Sequence, residues 1–196
     1  MKRKNSAKRK VAYFLSNNVN KFREVARILE EYGIVIALIR LKKKEIQNDS
    51  IEKIAKVSAE EAAEELNLPV VTEDAGLFID ALNGFPGPYS SFIYRTIGVE
   101  GILKLMSGVE NRKAKFKSAV AYAEPSGKSR IFSGEVSGDI SVTAKGDKGF
   151  GFDPIFQPYG YEGRTFAELD TDEKNAISHR GLAFRKFAEW YISKVR

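Results

Sequence analysis

Val11-Ala-Tyr-Phe-Leu-Ser-Asn-Asn-Val-Asn-Lys21 is the stretch that decides the fold class. Its first five residues read as a buried strand, and Asn18 stands where a helix N-cap belongs, ahead of an apolar spacing of Phe22, Val25, Ala26 and Leu29. A strand, a tight turn and a helix in succession open an α/β fold. Gly33 closes that helix and Ile34–Ile39 reads as a second strand. Residues 50–66 form a Glu/Lys/Ala-rich amphipathic helix, and Leu68-Pro-Val-Val-Thr72 returns as a third strand. Beyond the Gly/Pro cluster at 84–88, a helical stretch runs to Leu105, and 115–124 with 129–137 read as a hairpin around Glu124-Pro-Ser-Gly-Lys128. Thr165-Phe-Ala-Glu168 has the capping-box pattern, and Ser178 is placed to cap a last helix carrying Leu182, Phe187, Trp190 and Tyr191.

Composition narrows the function classes. The chain has 196 residues, 43% hydrophobic and 30% charged, which fits one folded domain. With no cysteine and one histidine, thiol chemistry and a multi-histidine zinc site are excluded, so any metal is held by oxygen. No apolar run is long enough for a membrane span or a secretory signal, and a cytoplasmic location is expected. The net charge of +6 would suggest nucleic acid, but six of the 32 basic residues lie in residues 1–10, leaving 26 against 26 acids over 11–196. The expected organisation is therefore a basic, disordered extension over 1–10 and a charge-balanced domain over 11–196.

Four segments could carry chemistry. Ser16-Asn17-Asn18-Val19-Asn20-Lys21 opens a helix, where backbone N–H groups and a lysine attract phosphate, and Asn20 is suited to a left-handed turn. It also fits an ordinary capped turn, and it is not a Walker loop. Glu45, Glu73 and Asp74 form an acidic set of the kind magnesium favours. Adjacent strand residues point to opposite faces, so Glu73 and Asp74 need a bend at Ala75-Gly76 to reach one site. Lys148-Gly-Phe150-Gly151-Phe152-Asp153-Pro154 holds aromatic rings in a loop that could stack on a flat base, with an acceptor behind them. Lys174-Asn-Ala-Ile-Ser178-His179-Arg180-Gly181 offers backbone donors, an imidazole and a guanidinium at a helix start.

Taken together and in this order, SNNVNK (16–21), EIQ (45–47), VTEDAGLFIDALNGFPGPYSS (71–91), GFGFDPIF (149–156), TFAEL (165–169) and KNAISHRG (174–181) resemble the inosine triphosphate pyrophosphatase family. The resemblance implies an elongated α/β fold with a long mixed sheet, two lobes and an active-site cleft between them, assembled as a homodimer. It implies magnesium-dependent hydrolysis of ITP, dITP and XTP to the monophosphate and pyrophosphate, in preference to ATP or GTP. By position, it makes Asp74 the general base and Glu45 and Glu73, beside Asp74, the acidic magnesium positions. It puts Ser16, Asn18 and Lys21 on the triphosphate, Phe150 and Asp153 on the nucleoside, and Lys174, Ser178, His179 and Arg180 at the base. Ala75 stands where many members have Ser or Thr, Phe152 where Tyr or Trp is usual, and Lys53 and Lys56 do not align with a phosphate-binding lysine that some members carry. The rival readings are a basic nucleic-acid-binding protein, which leaves the acidic set unexplained, and a related pyrophosphatase acting on modified pyrimidine or methylated nucleotides.

Overall fold

The computed structural model describes residues 10–41 and 46–194. In chain order the elements are β1 (Lys10–Leu15), α1 (Val19–Glu30), β2 (Ile34–Ile39), α2 (Ile51–Leu66), β3 (Val70–Ile79), β4 (Pro86–Gly87), α3 (Ser90–Thr96) and α4 (Gly98–Leu105). There follow β5 (Lys113–Ala123), β6 (Ser129–Ile140), β7 (Phe156–Pro158), α5 (Thr171–Ile177) and α6 (His179–Lys194). Seven strands make one mixed sheet in the order β2-β1-β3-β5-β6-β7, with β4 on the edge of β3. The pairs β1–β2 and β1–β3 are parallel and the others antiparallel. The α/β reading thus holds. Among the described residues no helix is long and apolar enough to cross a membrane.

Helices cover both faces of the sheet. On one face Phe14, Ile28, Leu29, Phe184 and Phe187 are fully buried between β1, α1 and α6. On the other, Ala55, Ala59 and Ala63 of α2 pack on Ala119, Ala121 and Ala123 of β5, small side chains that let helix and sheet approach closely. A third cluster gathers Leu77, Ile79, Ile102, Met106, Phe116, Phe156 and Phe166 around the far end of β3 and β5.

Several local expectations change. The third strand does not stop at Thr72, because β3 stays in antiparallel register with β5 from Val70↔Ala123 to Ile79↔Ala114. No bend occurs at Ala75-Gly76: ten ladder pairs outweigh the turn-like character of Glu-Asp-Ala-Gly. Lys10 belongs to β1, opposite Ile34, rather than to the extension, and its Nζ donates to the Ile192 carbonyl at 2.8 Å. The rest of the extension, residues 1–9, lies outside the described residues. Asn20 is an ordinary residue of α1, and the described non-glycine residues with positive φ are Asn67, Asn83 and Glu162. The stretch before Leu105 is two helices divided at Ile97, ahead of Gly98 with its positive φ. Thr165–Glu168 forms a turn. Glu168 does accept the Thr165 N–H at 2.8 Å, but the Thr165 hydroxyl donates to the Lys145 carbonyl, and the working capping box is Asp170 with Glu173 at α5.

Candidate active site

Strands β1 and β3 share the single register pair Phe14↔Val71, after which β1 ends at Leu15 while β3 runs on. The slot that opens where they part lies at the carboxyl end of β1, where α/β sheets of this wiring place their ligand crevice. It holds a cavity of about 680 Å³.

One wall is the turn from β1 into α1. Asn18 caps the helix, its Oδ1 accepting from the backbone N–H groups of Asn20 at 2.9 Å and Lys21 at 3.1 Å. The Ser16 hydroxyl accepts from the Asn18 N–H at 3.1 Å, and Asn17 donates to the Leu41 carbonyl at 3.0 Å. The turn is thereby held rigid, with two of the helix-end donors already used by its own cap.

β3 crosses the floor. Side chains alternate as the ladder dictates: Glu73 points to the α6 face and Asp74 to the α2 face. The slot cuts through the sheet edge, so both still reach the cavity without a bend. Glu73 is buried, with Oε1 accepting from Ser118 Oγ at 2.9 Å and Arg180 Nε at 3.1 Å, and Oε2 lying 2.7 Å from Lys21 Nζ. Burial alone would raise this carboxyl; the charges of Arg180 and Lys21 outweigh it and hold it well below the carboxylate range.

From Glu73 a chain of ion pairs runs inward. Arg180 Nη1 donates to Glu24 Oε2 at 2.6 Å, Glu24 Oε1 accepts from Lys174 Nζ at 2.7 Å, and Lys174 reaches Asp153 Oδ2 at 2.6 Å. Lys21, Glu73, Arg180, Glu24, Lys174 and Asp153 therefore alternate in sign and sum to zero. A buried charge survives only when paired and hydrogen-bonded, and each inner member here has two partners. Burial would raise Glu24, but Arg180 and Lys174 bring it below its ordinary value; for Asp153 burial wins over Lys174 and the carboxyl is raised.

Asp153 also accepts the Phe150 N–H at 2.7 Å, which folds the aromatic loop over the relay. Gly149, at φ +72°, permits this: a Cβ there would run into the Asp153 carboxylate. The Phe150 ring lies 4.9 Å from Lys174 Nζ and 5.4 Å from the Arg180 guanidinium. Gly134 on β6 plays the matching part for α6, since a Cβ would strike the His179 carbonyl oxygen and push the first turn of the helix off the sheet. The His179 ring stacks on Phe116 with centroids 4.7 Å apart and planes 9° from parallel. Burial, reinforced by the charge of Arg180, pushes its pKa well down, so the ring is neutral near pH 7; its Nδ1 has no hydrogen-bond partner among the described residues.

The residues singled out from sequence are thus largely brought together. The cavity wall includes Ser16 to Lys21, Glu73, Asp74, Ala75, Phe150 to Asp153, His179 and Arg180. Lys174 and Ser178 stand behind it, the first within the relay and the second as the cap of α6, its hydroxyl accepting from the Gly181 N–H at 3.0 Å. Glu45 lies outside the described residues. Sequence reasoning missed Glu24, Phe116 and the wall formed by Ser90, Ser91, Tyr94 and Arg95 of α3. For Glu24 a signal existed: it shares the buried stripe of α1 with Val25, Ile28 and Leu29, and an acid in such a stripe needs a cationic partner. Among the described residues no group of three or more His, Cys, Asp or Glu side chains could hold a metal ion. The carboxylates in the cavity wall are Glu73, Asp74 and Asp153; Asp153 is tied to Lys174 and the Phe150 N–H, and the adjacent Glu73 and Asp74 offer the hard oxygen donors of which magnesium takes one or two together with phosphate oxygens.

With this geometry in view, residues 12–190 match the family model described as the Ham1 family. The chain is similar to the dITP/XTP pyrophosphatase of Methanopyrus kandleri, 52% identical over 93% of this chain and 96% of that protein. It is also similar to the dITP/XTP pyrophosphatase of Ignicoccus hospitalis, 51% identical over 92% and 96%. Among solved structures, the HAM1 protein from Coxiella burnetii superposes with a TM-score of 0.82 at 30% identity, covering 94% of this chain and 99% of that one. The nucleoside-triphosphatase / dITP/XTP pyrophosphatase from Mycobacterium abscessus does so at 0.72 and 34%, covering 90% and 98%.

Proposed function

The chain belongs to the Ham1 family, and on that premise we propose that it is a nucleoside-triphosphate pyrophosphatase that converts dITP, XTP and ITP to the monophosphate and pyrophosphate. The observation that carries this reading is the relay from Lys21 to Asp153, which ties a phosphate-binding turn and an aromatic loop into one nucleotide-sized cavity.

In the reaction, water attacks the α-phosphorus, the bond to the α,β-bridging oxygen breaks, and pyrophosphate leaves with the developing charge. Asp74, on the cavity floor, orients the water and takes its proton. Lys21 is held 2.7 Å from Glu73 and swings to the leaving phosphates, which frees the Glu73 oxygen it covered. Glu73 and Asp74 would hold a divalent cation, magnesium by the resemblance, with Glu45 added; when bound it would neutralise phosphate oxygens. The base stacks on Phe150. Arg180 spends only part of its donor fork on Glu24 and Glu73 and keeps N–H groups for a 6-oxo oxygen. Adenine presents an amino group there, so donor meets donor and ATP is rejected.

The test is direct: incubate the protein with magnesium and dITP, XTP, ATP or dTTP, and measure pyrophosphate against orthophosphate. Pyrophosphate from dITP and XTP with little from ATP or dTTP is expected; orthophosphate alone, or equal turnover of all four, refutes the reading. The same reading includes an elongated two-lobed outline around the cavity, a homodimer, a cytoplasmic location, and a catalytic domain that begins with β1 at Lys10, for which residues 1–9 are dispensable.

A further inference from the structure

Among the described residues, charge accounting around the cavity leaves one cation outside the relay. Lys21, Arg180 and, behind them, Lys174 are balanced by carboxylates of the neutral relay, so a swing of Lys21 to the phosphates brings one positive charge and uncovers one negative charge on Glu73. Asp74 adds a negative charge to the same wall. A triphosphate brings several more, of which a divalent cation cancels only part. Lys53 and Lys56 of α2 are absent from the cavity wall, and Lys56 pairs with Glu60 on its own helix at 3.8 Å.

Arg95 lies in the wall contributed by α3, is exposed, and is the one cation of the described wall residues with no carboxylate of the described residues within 4.0 Å. Its guanidinium is not loose. Nη1 donates to the Ser91 hydroxyl at 2.7 Å, one helical turn earlier and also in the wall. A neutral acceptor fixes the direction of the side chain while leaving its charge uncompensated and most of its planar donor fork open, the form in which arginine takes phosphate oxygens in pairs. The seating of α3 is itself firm, because Ser90 Oγ donates to the Gly87 carbonyl at 2.7 Å and accepts the Leu77 N–H at 2.8 Å.

We propose that Arg95, aimed by Ser91, binds the β- and γ-phosphates of the substrate, the part that departs as pyrophosphate, from the α3 wall of the cavity. The inference rests on the triphosphate substrate proposed above. Calorimetric titration with pyrophosphate in magnesium chloride, and separately with dIMP, tests it without relying on turnover. Arg95→Ala is expected to weaken pyrophosphate binding by about 10-fold and leave dIMP binding unchanged, Arg95→Lys to recover part of the loss, and Ser91→Ala to cost a smaller factor. Circular dichroism on each variant confirms that the fold is kept, as expected for exposed positions. Unchanged pyrophosphate affinity in Arg95→Ala, equal weakening of both ligands, or no pyrophosphate binding by the wild type would each overturn the assignment. The functional reading is judged apart: a wild type that releases pyrophosphate from dITP while Arg95→Ala binds it undiminished keeps the function and loses the arginine.

Discussion

The two ends of the cavity are built on different principles. The phosphate end is local: Ser16, Asn18, Asn20 and Lys21 organise one another through bonds spanning two or three residues, and water reaches Asn18, Asn20 and part of Lys21. The base end is assembled from afar, by buried bonds between residues 21 to 156 positions apart, three of the four spanning 107 or more. Local construction makes a site that tolerates the loss of a member, because solvent can replace it. Long-range construction makes a site whose members are also part of what holds the fold together.

The sharpest way to break that contrast is to remove Glu24. Glu24→Ala leaves Lys174 and Arg180 with excess buried charge behind the wall, and a loss of about 3–5 kcal/mol in denaturant unfolding is expected. Lys21→Ala, at the wetter end, should cost roughly 1–2 kcal/mol, since Glu73 keeps Arg180 and Ser118. Equal losses would mean that the two ends are not built differently. Next in size is Asp74→Asn, for which steady-state kinetics on dITP should give kcat reduced about 100-fold or more with KM little changed. Near wild-type turnover would remove Asp74 from the reaction.

The smallest effect concerns protons at the base end. The folded-state pKa of His179 lies well below 6.5, so as pH falls through 6.5 the unfolded chain takes up a proton that the native one refuses. Stability present above pH 6.5 is therefore lost below it, by up to about 1.4 kcal/mol per pH unit. Glu24 and Glu73, whose carboxyls are depressed, keep their full stabilising contribution above their ordinary value of 4.5 and lose it only as pH falls below that value. His179→Phe keeps the ring on Phe116 and removes the proton, so its unfolding free energy should change less than that of wild type between pH 7 and pH 5. Parallel curves would show that the imidazole already titrates normally in the fold.

The same division explains what could be read from the sequence. The β1–α1 turn, α2, the hairpin and the cap of α6 were legible because their signals are local: an Asn at the helix start, an apolar period, a Pro-Ser-Gly turn. Glu73 and Asp74 were found, but with a bend that does not exist, because the evidence for continuing the strand lies forty residues on in β5. Glu24, Phe116 and Arg95 went unseen for a similar reason. Each is an ordinary residue of its own element and gains meaning only from what the fold sets opposite it.

The relay has a further consequence, in its response to heat. Taking six charges out of water is opposed by their hydration, and ionic hydration weakens as temperature rises, whereas hydrophobic stabilisation levels off. The connection between the two ends of the cavity is thus the part of this molecule whose penalty shrinks on warming, so the site holds its shape through a range in which apolar packing alone gains nothing more.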